Sequence, residues 1–193
     1  MLLLTKLVLA THNLGKLEEL RSIIPLHVEL ETISDLYALS PEETGKDFHE
    51  NAALKANFCF DRTKIPCLAD DSGLCITALQ QRPGLYSKRF MMDHGGPHLT
   101  FKALAENPEI QKNPQASFVC VLALALSSQD IRFYEGRCHG NLTFPARGQG
   151  GHGYDPIFVP HGSDLTFAEM THLEKAQRSH RGQAMRAFIQ DCF

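Results

Sequence analysis

The sequence predicts an α/β fold with a mixed β-sheet, and two observations support this prediction. In the first half of the chain, short apolar runs alternate with segments in which apolar residues recur every three or four positions, as in amphipathic helices. Later, two apolar runs at residues 116–126 and 131–139 are joined by a polar turn at 127–130, which predicts an antiparallel hairpin. A chain with both kinds of connection builds a mixed sheet.

Periodicity and breaker residues define the elements of the first half. Residues 6–11 form an apolar strand, and a helix with one apolar stripe follows until Pro25 ends it. Residues 27–33 alternate apolar and polar side chains, as a half-buried strand does. A second helix at 48–62 begins where Asp47 can act as the N-cap, with a glutamate at the third helical position.

The second half continues with two strands, CLADD at 67–71 and GLCITAL at 73–79, and a third helix at 97–106. After the hairpin, a glycine-dense loop leads into a short strand, IFV, at 157–159. The last helix spans about 180–191 and buries an apolar stripe.

Composition limits the classes of function. The 193 residues are 43% hydrophobic and 21% charged, with a net charge of -3, which predicts one domain over residues 1–193 and argues against binding to polymeric nucleic acid. No apolar run reaches the roughly 20 residues of a membrane span. The N-terminal apolar run is broken at Thr5 and Lys6 and resembles a strand more than a targeting signal. Six scattered cysteines predict reduced, mostly buried thiols in a cytoplasmic protein.

Two adjacent acids, Asp70 and Asp71, interrupt the apolar stretch LADDSGLCITAL at 68–79. Burying ionised carboxylates is costly unless a cation or hydrogen-bond donors compensate them. Neighbouring strand residues point to opposite faces, so the two acids are expected to differ in role. Mg²⁺ takes one or two carboxylates with phosphate oxygens and waters. The alternative is that both acids and Ser72 cap a turn before Gly73. This segment alone favours neither interpretation.

The stretch ATHNLGK at 10–16 lies where a strand gives way to a helix. A helix N-terminus offers amide donors and partial positive charge, Gly15 permits close backbone approach, and Lys16 adds a full charge. This combination suits a phosphate, although it lacks the Walker A spacing. An ordinary strand–helix turn with a solvated lysine is the alternative.

Two later stretches have compositions typical of nucleotide contacts. In GGHGYDP at 150–156, His152 and Tyr154 can flank a base and Asp155 can accept hydrogen bonds, whereas the alternative is a glycine-rich turn. In LEKAQRSHRGQA at 173–184, four cationic or titratable side chains surround a helix start and could form either an anion site or a solvated basic face. They are Lys175, Arg178, His180 and Arg181. The combined signals predict a magnesium-dependent enzyme acting on a nucleoside triphosphate.

Six segments, in this order, resemble the inosine triphosphate pyrophosphatase family. They are LATHNLGKLEEL (9–20), EETGKDFHENAALKA (42–56), ADDSGLCITAL (69–79), PGLYSKRF (83–90), GHGYDPIFVP (151–160) and FAEMTHLEKAQRSHRGQA (167–184). The resemblance implies a long curved mixed β-sheet with flanking helices, two lobes around a nucleotide cleft, and a homodimer. It also implies Mg²⁺-dependent hydrolysis of purine nucleoside triphosphates (ITP, dITP and XTP) to the monophosphate and pyrophosphate.

The resemblance also implies a role for each matching residue. The triphosphate would be bound by Thr11, His12, Asn13, Leu14, Gly15, Lys16 and Lys55. Magnesium would be held by Glu42 and Asp71, and Asp71 also matches the proposed proton acceptor. Other substrate contacts would come from Ser72, His152, Gly153, Tyr154, Asp155, Lys175, His180 and Arg181. Asp71 could act as a base or mainly as a metal ligand, and the sequence favours neither role.

Four residues depart from the family pattern. His152 stands where most members have Phe or Trp, Thr77 replaces a frequent Asp, and Met91 with Met92 replaces Ala-Gly. A related pyrophosphatase for modified pyrimidine triphosphates is an alternative function. A nucleotide sensor without catalysis is another, against which the retained acids and lysines argue.

Overall fold

The computed structural model describes residues 4–11, 17, 20–21, 24–33 and 41–193, and these hold a seven-stranded mixed β-sheet with flanking helices. The strands are β1 (Lys6–Leu9), β2 (Glu29–Thr32), β3 (Cys67–Ile76), β4 (Arg82–Pro83), β5 (Gln115–Ala125), β6 (Ile131–Leu142) and β7 (Phe158–Pro160). Their order in the sheet is β2-β1-β3-β5-β6-β7, with β4 paired to β3. Because β1 is parallel to β2 and β3, whereas β4 and β7 pair antiparallel, the predicted mixed sheet is confirmed.

Six α-helices are described: α1 (Phe48–Thr63), α2 (Ser87–Asp93), α3 (Pro97–Ala105), α4 (Pro108–Lys112), α5 (His172–Arg178) and α6 (His180–Cys192). Helices α1, α3 and α6 agree with the sequence prediction. The short helices α2 and α4 were missed, although Asn107 before α4 is a recognisable N-cap that accepts from two backbone amides. Of the predicted first helix, Leu17 and Leu20 have helical backbone, and residues 18–19 and 22–23 lie outside the described residues.

The chain forms two compact units. The first contains Met1–Asp71, Cys120–Gly136 and Gln183–Phe193. Its apolar residues form two clusters, and the alternation of β3 separates them: Leu68 belongs to one, and Cys67 and Ala69 belong to the other. The second cluster also contains Ala52 and Ala56 of α1. One face of β3 therefore packs on α1, and the side chains of the other face point away from it.

The second unit contains Ser72–Val119 and Arg137–Gly182. Three phenylalanine rings lie at its centre, with centroids of Phe118 and Phe158 4.7 Å apart and those of Phe158 and Phe167 5.2 Å apart. Such aromatic pairs stabilise a core beyond their buried area.

Strand β3 is continuous from Cys67 to Ile76, so the prediction of two separate strands is wrong. Gly73 explains the difference, because a Cβ there would lie 2.1 Å from the carbonyl oxygen of Gly84. The missing side chain lets the backbone at Gly84 approach the strand, and the Ser87 hydroxyl accepts from the Leu74 amide at 2.8 Å. The turn-cap interpretation of Asp70 and Asp71 is therefore also wrong.

The predicted starts of α1 and α6 are confirmed, and each is capped by a side chain. Asp47 accepts from the amide of Glu50 at 2.8 Å, and the Ser179 hydroxyl accepts from Gly182 at 3.1 Å. Thr171 and Glu174 exchange the two bonds of a capping box at the start of α5. Within the described part of the chain, no helix is long and apolar enough to cross a bilayer.

Candidate functional site

In the first unit, a buried carboxylate meets two polar side chains of α1. Asp71 follows Ala69 by two residues on β3 and therefore points to the same face, towards α1. Its Oδ1 accepts from Lys55 Nζ at 2.8 Å, and its Oδ2 accepts from Asn51 Nδ2 at 3.4 Å. Asn51 and Lys55 are four residues apart and so lie on one face of the helix. Both oxygens of Asp71 have fixed partners.

Lys55 lies among three carboxylates. Its ammonium also contacts Glu43 Oε1 at 3.0 Å, and its side chain is 14% exposed. Burial lowers the pKa of Lys55, but the negative charges of Asp71, Asp70 and Glu43 outweigh it and raise the pKa above its usual value. The lysine is therefore held in its charged form.

The segment before α1 brings acidic residues to this cluster. Glu43 is the residue that contacts Lys55, and both Glu43 and its neighbour Glu42, the predicted metal ligand, are exposed. The Gly45 amide donates to Asn51 Oδ1 at 2.8 Å, which anchors the segment to the start of α1.

The chemistry of these donors fits a divalent cation completed by substrate oxygens. Because three carboxylates act on the Lys55 ammonium, the cluster carries more negative than positive charge among the described residues. In the same described residues, no three side chains of the Asp, Glu, His or Cys type form a complete ligand set. Mg²⁺ needs only one or two protein carboxylates when phosphate oxygens and waters supply the rest.

In the second unit, Asp155 and Lys175 form a buried ion pair. Their side chains are 4% and 9% exposed, and Lys175 Nζ lies 2.8 Å from Asp155 Oδ2. The same oxygen accepts from the backbone amide of His152 at 2.7 Å. Helix α5 supplies the lysine, so this pair ties the loop at 151–155 to that helix. The His152 side chain itself is exposed, as is Gly153.

Tyr154 is buried beneath that loop. Its hydroxyl donates to the Ser87 carbonyl at 2.8 Å, and burial raises the pKa of the phenol well above its usual range. Tyr154 therefore supports the loop from inside the unit, and its predicted role beside a base stays a prediction. The Ser87 carbonyl was not singled out from the sequence.

Arg181 and His180 begin helix α6 and are both buried. Arg181 Nη2 donates to the Ser72 hydroxyl at 3.2 Å, across 109 positions of sequence. The imidazole of His180 stacks on Phe118, with centroids 4.7 Å apart and planes within 9°. Five of the predicted residues lie in the second unit and make three described contacts, which are the Asp155–Lys175 ion pair, the Ser72–Arg181 hydrogen bond and the stacking of His180 on Phe118.

Some predicted positions lie outside the described residues, namely His12, Asn13, Leu14, Gly15 and Lys16. Thr11, which precedes them, is buried two residues after the end of β1. Two residues of the first cluster, Glu43 and Asn51, were missed from the sequence. The signal for Asn51 was available, because it lies four positions before Lys55 on a predicted helix.

A model of the Ham1 family matches residues 7–191. The dITP/XTP pyrophosphatase of Gluconobacter oxydans is 43% identical to this chain, over 97% of this chain and 91% of that protein. The dITP/XTP pyrophosphatase of Streptomyces coelicolor is 42% identical, over 96% of both chains.

Solved structures agree with these matches. The structure of a HAM1 protein from Coxiella burnetii has a TM-score of 0.82 at 34% identity, covering 97% of this chain and 96% of that one. The Staphylococcus aureus Ham1 protein has a TM-score of 0.83 at 31% identity, covering 96% and 98%. The family model, the curated relatives and the solved structures agree over almost the whole length, and the chain belongs to the Ham1 family.

Proposed function

We propose that this protein hydrolyses ITP, dITP and XTP to the monophosphate and pyrophosphate with Mg²⁺, and so removes deaminated purines from the nucleotide pool. It is an enzyme, a hydrolase that acts on acid anhydrides, as its relatives are. The observation that carries the proposal is the buried Asp71 carboxylate, whose two oxygens contact Lys55 and Asn51. A charged cluster of this kind is costly to bury without a role for its charges.

The positive charge that stabilises the leaving pyrophosphate would come from Lys55 and from the residues after β1. Attack of water on the α-phosphorus releases pyrophosphate, whose negative charge grows in the transition state. Positioned positive charges stabilise that charge more than they stabilise the substrate. Lys55, kept charged by its neighbours, supports this role, and residues 11–16 would bind the triphosphate.

The metal would be held by Asp71 and Glu42, with Glu43 close to the same lysine. When bound, Mg²⁺ would neutralise charge on the phosphate oxygens. Asp71 would also orient or deprotonate the attacking water, for which its fixed carboxylate plane is suited.

The base and sugar would be bound by the second unit. Arg181 can donate to the 6-oxo group and N7 of a purine, as arginine does with guanine. An adenine amino group would leave that donor unsatisfied, at a cost of about 1–3 kcal/mol, which argues for rejection of ATP. Asp155 and Lys175 would shape the loop that carries His152 against the base, with Ser72 and His180 beside it.

The same proposal includes a homodimer in the cytoplasm that binds neither membranes nor polymeric nucleic acid. The net charge of -3 supports the last point, because phosphate-backbone binding needs a basic surface.

The test is pyrophosphate release from ITP, dITP, XTP, GTP, ATP and dUTP, each with and without Mg²⁺. We expect turnover of ITP, dITP and XTP that depends on the metal, and little turnover of ATP or GTP. Preferred hydrolysis of dUTP would instead assign the chain to pyrimidine triphosphates. Tight binding of ITP without turnover would assign it to nucleotide sensing.

A further inference from the structure

Asn51 occupies a position between two parts of the candidate metal site. It is 3% exposed, and its side-chain amide faces the Gly45 backbone on one side and the Asp71 carboxylate on the other. Gly45 belongs to the segment that carries Glu42 and Glu43, whereas Asp71 belongs to β3. The Asn51 side chain therefore connects the acidic segment before α1 to strand β3.

The chemistry of the partners determines how the Asn51 amide is oriented. The Gly45 N–H can only donate, so the atom 2.8 Å from it must be the Oδ1 acceptor. The carboxylate of Asp71 can accept, so the Nδ2 donor faces its Oδ2 at 3.4 Å. Both contacts are compatible with one orientation and incompatible with the flipped one.

The space around Gly45 leads to the same residue. A Cβ at Gly45 would lie 2.5 Å from Asn51 Oδ1 and 2.7 Å from the Asn51 backbone nitrogen. Nearby, the Lys46 amide donates to the Glu50 side chain and the Glu50 amide donates to the Asp47 side chain. These hydrogen bonds also fix the segment before α1 to the first turn of the helix. Only Asn51 among these contacts also reaches Asp71 in the described residues.

We propose that Asn51 is a positioning residue for the reaction, which holds the Glu42–Gly45 segment and the Asp71 carboxylate in a fixed relation. The inference rests on the proposed function. The acceptor Oδ1 places the acidic segment, and the donor Nδ2 sets the plane of the Asp71 carboxylate that Lys55 contacts from its other oxygen. A partner of this kind orients a ligand without contacting the metal.

Two variants separate the halves of this role. Asn51→Asp keeps an acceptor for the Gly45 amide and removes the donor to Asp71, whereas Asn51→Leu removes both. The control is Asn57→Leu, the same change on a partly buried residue of the same helix, which has no described contact with Asp71 or Gly45. Circular dichroism and thermal melting show which variants are folded.

Three measurements form the test, made on the full chain. For both Asn51 variants we expect kcat for ITP to fall about 10- to 100-fold with KM changed less than threefold, and the half-saturating Mg²⁺ concentration to rise. In the absence of metal and substrate, hydrogen–deuterium exchange of the Gly45 amide should accelerate at least tenfold in Asn51→Leu and stay slow in Asn51→Asp. Asn57→Leu should match the wild type in every measurement.

The outcomes distinguish this inference from the proposed function. A wild type that hydrolyses none of the triphosphates contradicts the proposed function, and the Gly45 exchange rates still test the contact. An active wild type whose folded Asn51 variants keep kcat and the Mg²⁺ dependence would overturn the inference and leave the function standing. A loss that appears only as lower melting temperature, with normal kinetics, would also overturn it.

Discussion

Asp71 has different neighbours from Asp70, although the two acids are adjacent. Alternation along β3 points Asp71 towards α1, where Lys55 and Asn51 hold its two oxygens. Asp70 is also buried, and its negative charge raises the pKa of Lys55 less than the charge of Asp71 does. The sequence predicted that the acids would differ, because strand geometry requires it. The sequence placed Asn51 and Lys55 on one face of a helix, but the contact of Asn51 with Asp71 depends on where α1 packs.

The first residue-scale prediction concerns the chemistry of Asp71. Asp71→Asn keeps the size of the side chain and removes its charge and its basicity, so we expect kcat for ITP to fall by about two to four orders of magnitude. Circular dichroism should show a folded protein. Asp61→Asn, a change at an exposed aspartate, is the control and should keep full activity. A near-normal rate in Asp71→Asn would remove this residue from the reaction.

The second concerns His152, whose side chain is exposed and which stands where the family resemblance leads us to expect Phe or Trp. His152→Phe would offer a larger apolar surface to a purine, so we expect the KM for ITP to decrease with kcat unchanged. His161→Phe makes the same substitution at another exposed histidine and should leave KM as it is. A KM that stays the same or rises in His152→Phe would contradict stacking at this position.

At the scale of elements, helix caps could be predicted from the sequence, but close approaches between distant backbone segments could not. The N-caps Asp47 and Ser179 follow from local sequence, because a capping side chain contacts an amide only a few residues away. Gly73 has its effect through Gly84, which reaches it from another segment, so local sequence suggested a turn where β3 continues. Thr166 and Glu169 exchange the bonds of a capping box, yet no helix follows them.

At Gly182, within helix α6, we expect a change to alanine to lower the free energy of unfolding, which is opposite to the usual effect of this change in a helix. Glycine to alanine inside a helix ordinarily stabilises a protein by about 0.5–1 kcal/mol. A Cβ at Gly182 would lie 1.8 Å from the Ala176 carbonyl oxygen, so we expect Gly182→Ala to destabilise by about 1–3 kcal/mol instead. Urea unfolding measures this. Gln190→Ala, at an exposed site on the same helix, should change stability little, and a stabilised Gly182→Ala would contradict the close packing of α5 and α6.

For the whole molecule, patterns along the chain predicted most of the order of elements but not the boundaries of the two units. Alternating strands and helices and the late hairpin are visible as patterns along the chain, and the mixed sheet follows from them. The unit boundaries fall inside β3, β5, β6 and α6, where nothing in composition marks them. Division into units depends on contacts between distant segments, which a pattern along the chain does not contain.

The single domain over residues 1–193 stays a prediction, and the strands make it testable. Since β3, β5 and β6 each contribute residues to both units, neither unit can unfold without disrupting strands of the other. We expect one transition in urea, coincident by circular dichroism and by tyrosine fluorescence. Two separated transitions would show that the units unfold independently.

Alkaline pH is expected to destabilise the folded protein through its buried thiols. All six cysteines are buried and none forms a disulfide. Burial raises the pKa of Cys138 from 9.0 to about 11, against an opposing effect of Arg178. A raised pKa in the folded state contributes stability below pH 9 that is lost as the pH rises through 11. At about 1.4 kcal/mol per pKa unit, this amounts to about 3 kcal/mol.

The measurement is the free energy of unfolding of the wild type and of Cys138→Ala at pH 8 and pH 11. The difference between the two proteins should shrink by about 2 kcal/mol at the higher pH, because half of the native thiol is ionised there and the alanine variant has no thiol to ionise. If this difference in the free energy of unfolding is the same at both pH values, the result contradicts a pKa of Cys138 raised by burial.

Because β3 runs without a break past Asp71, the number of residues before this carboxylate decides which way it points. One residue inserted before Asp70 would turn Asp71 away from α1 and present Asp70 to Lys55 in its place. Two inserted residues would restore the face but move the carboxylate by about 7 Å along the strand. The turn at 127–130 between β5 and β6 is largely exposed and can absorb added residues at small cost. Natural length variation and engineered tags therefore belong at that turn, and never in the strand that carries Asp71.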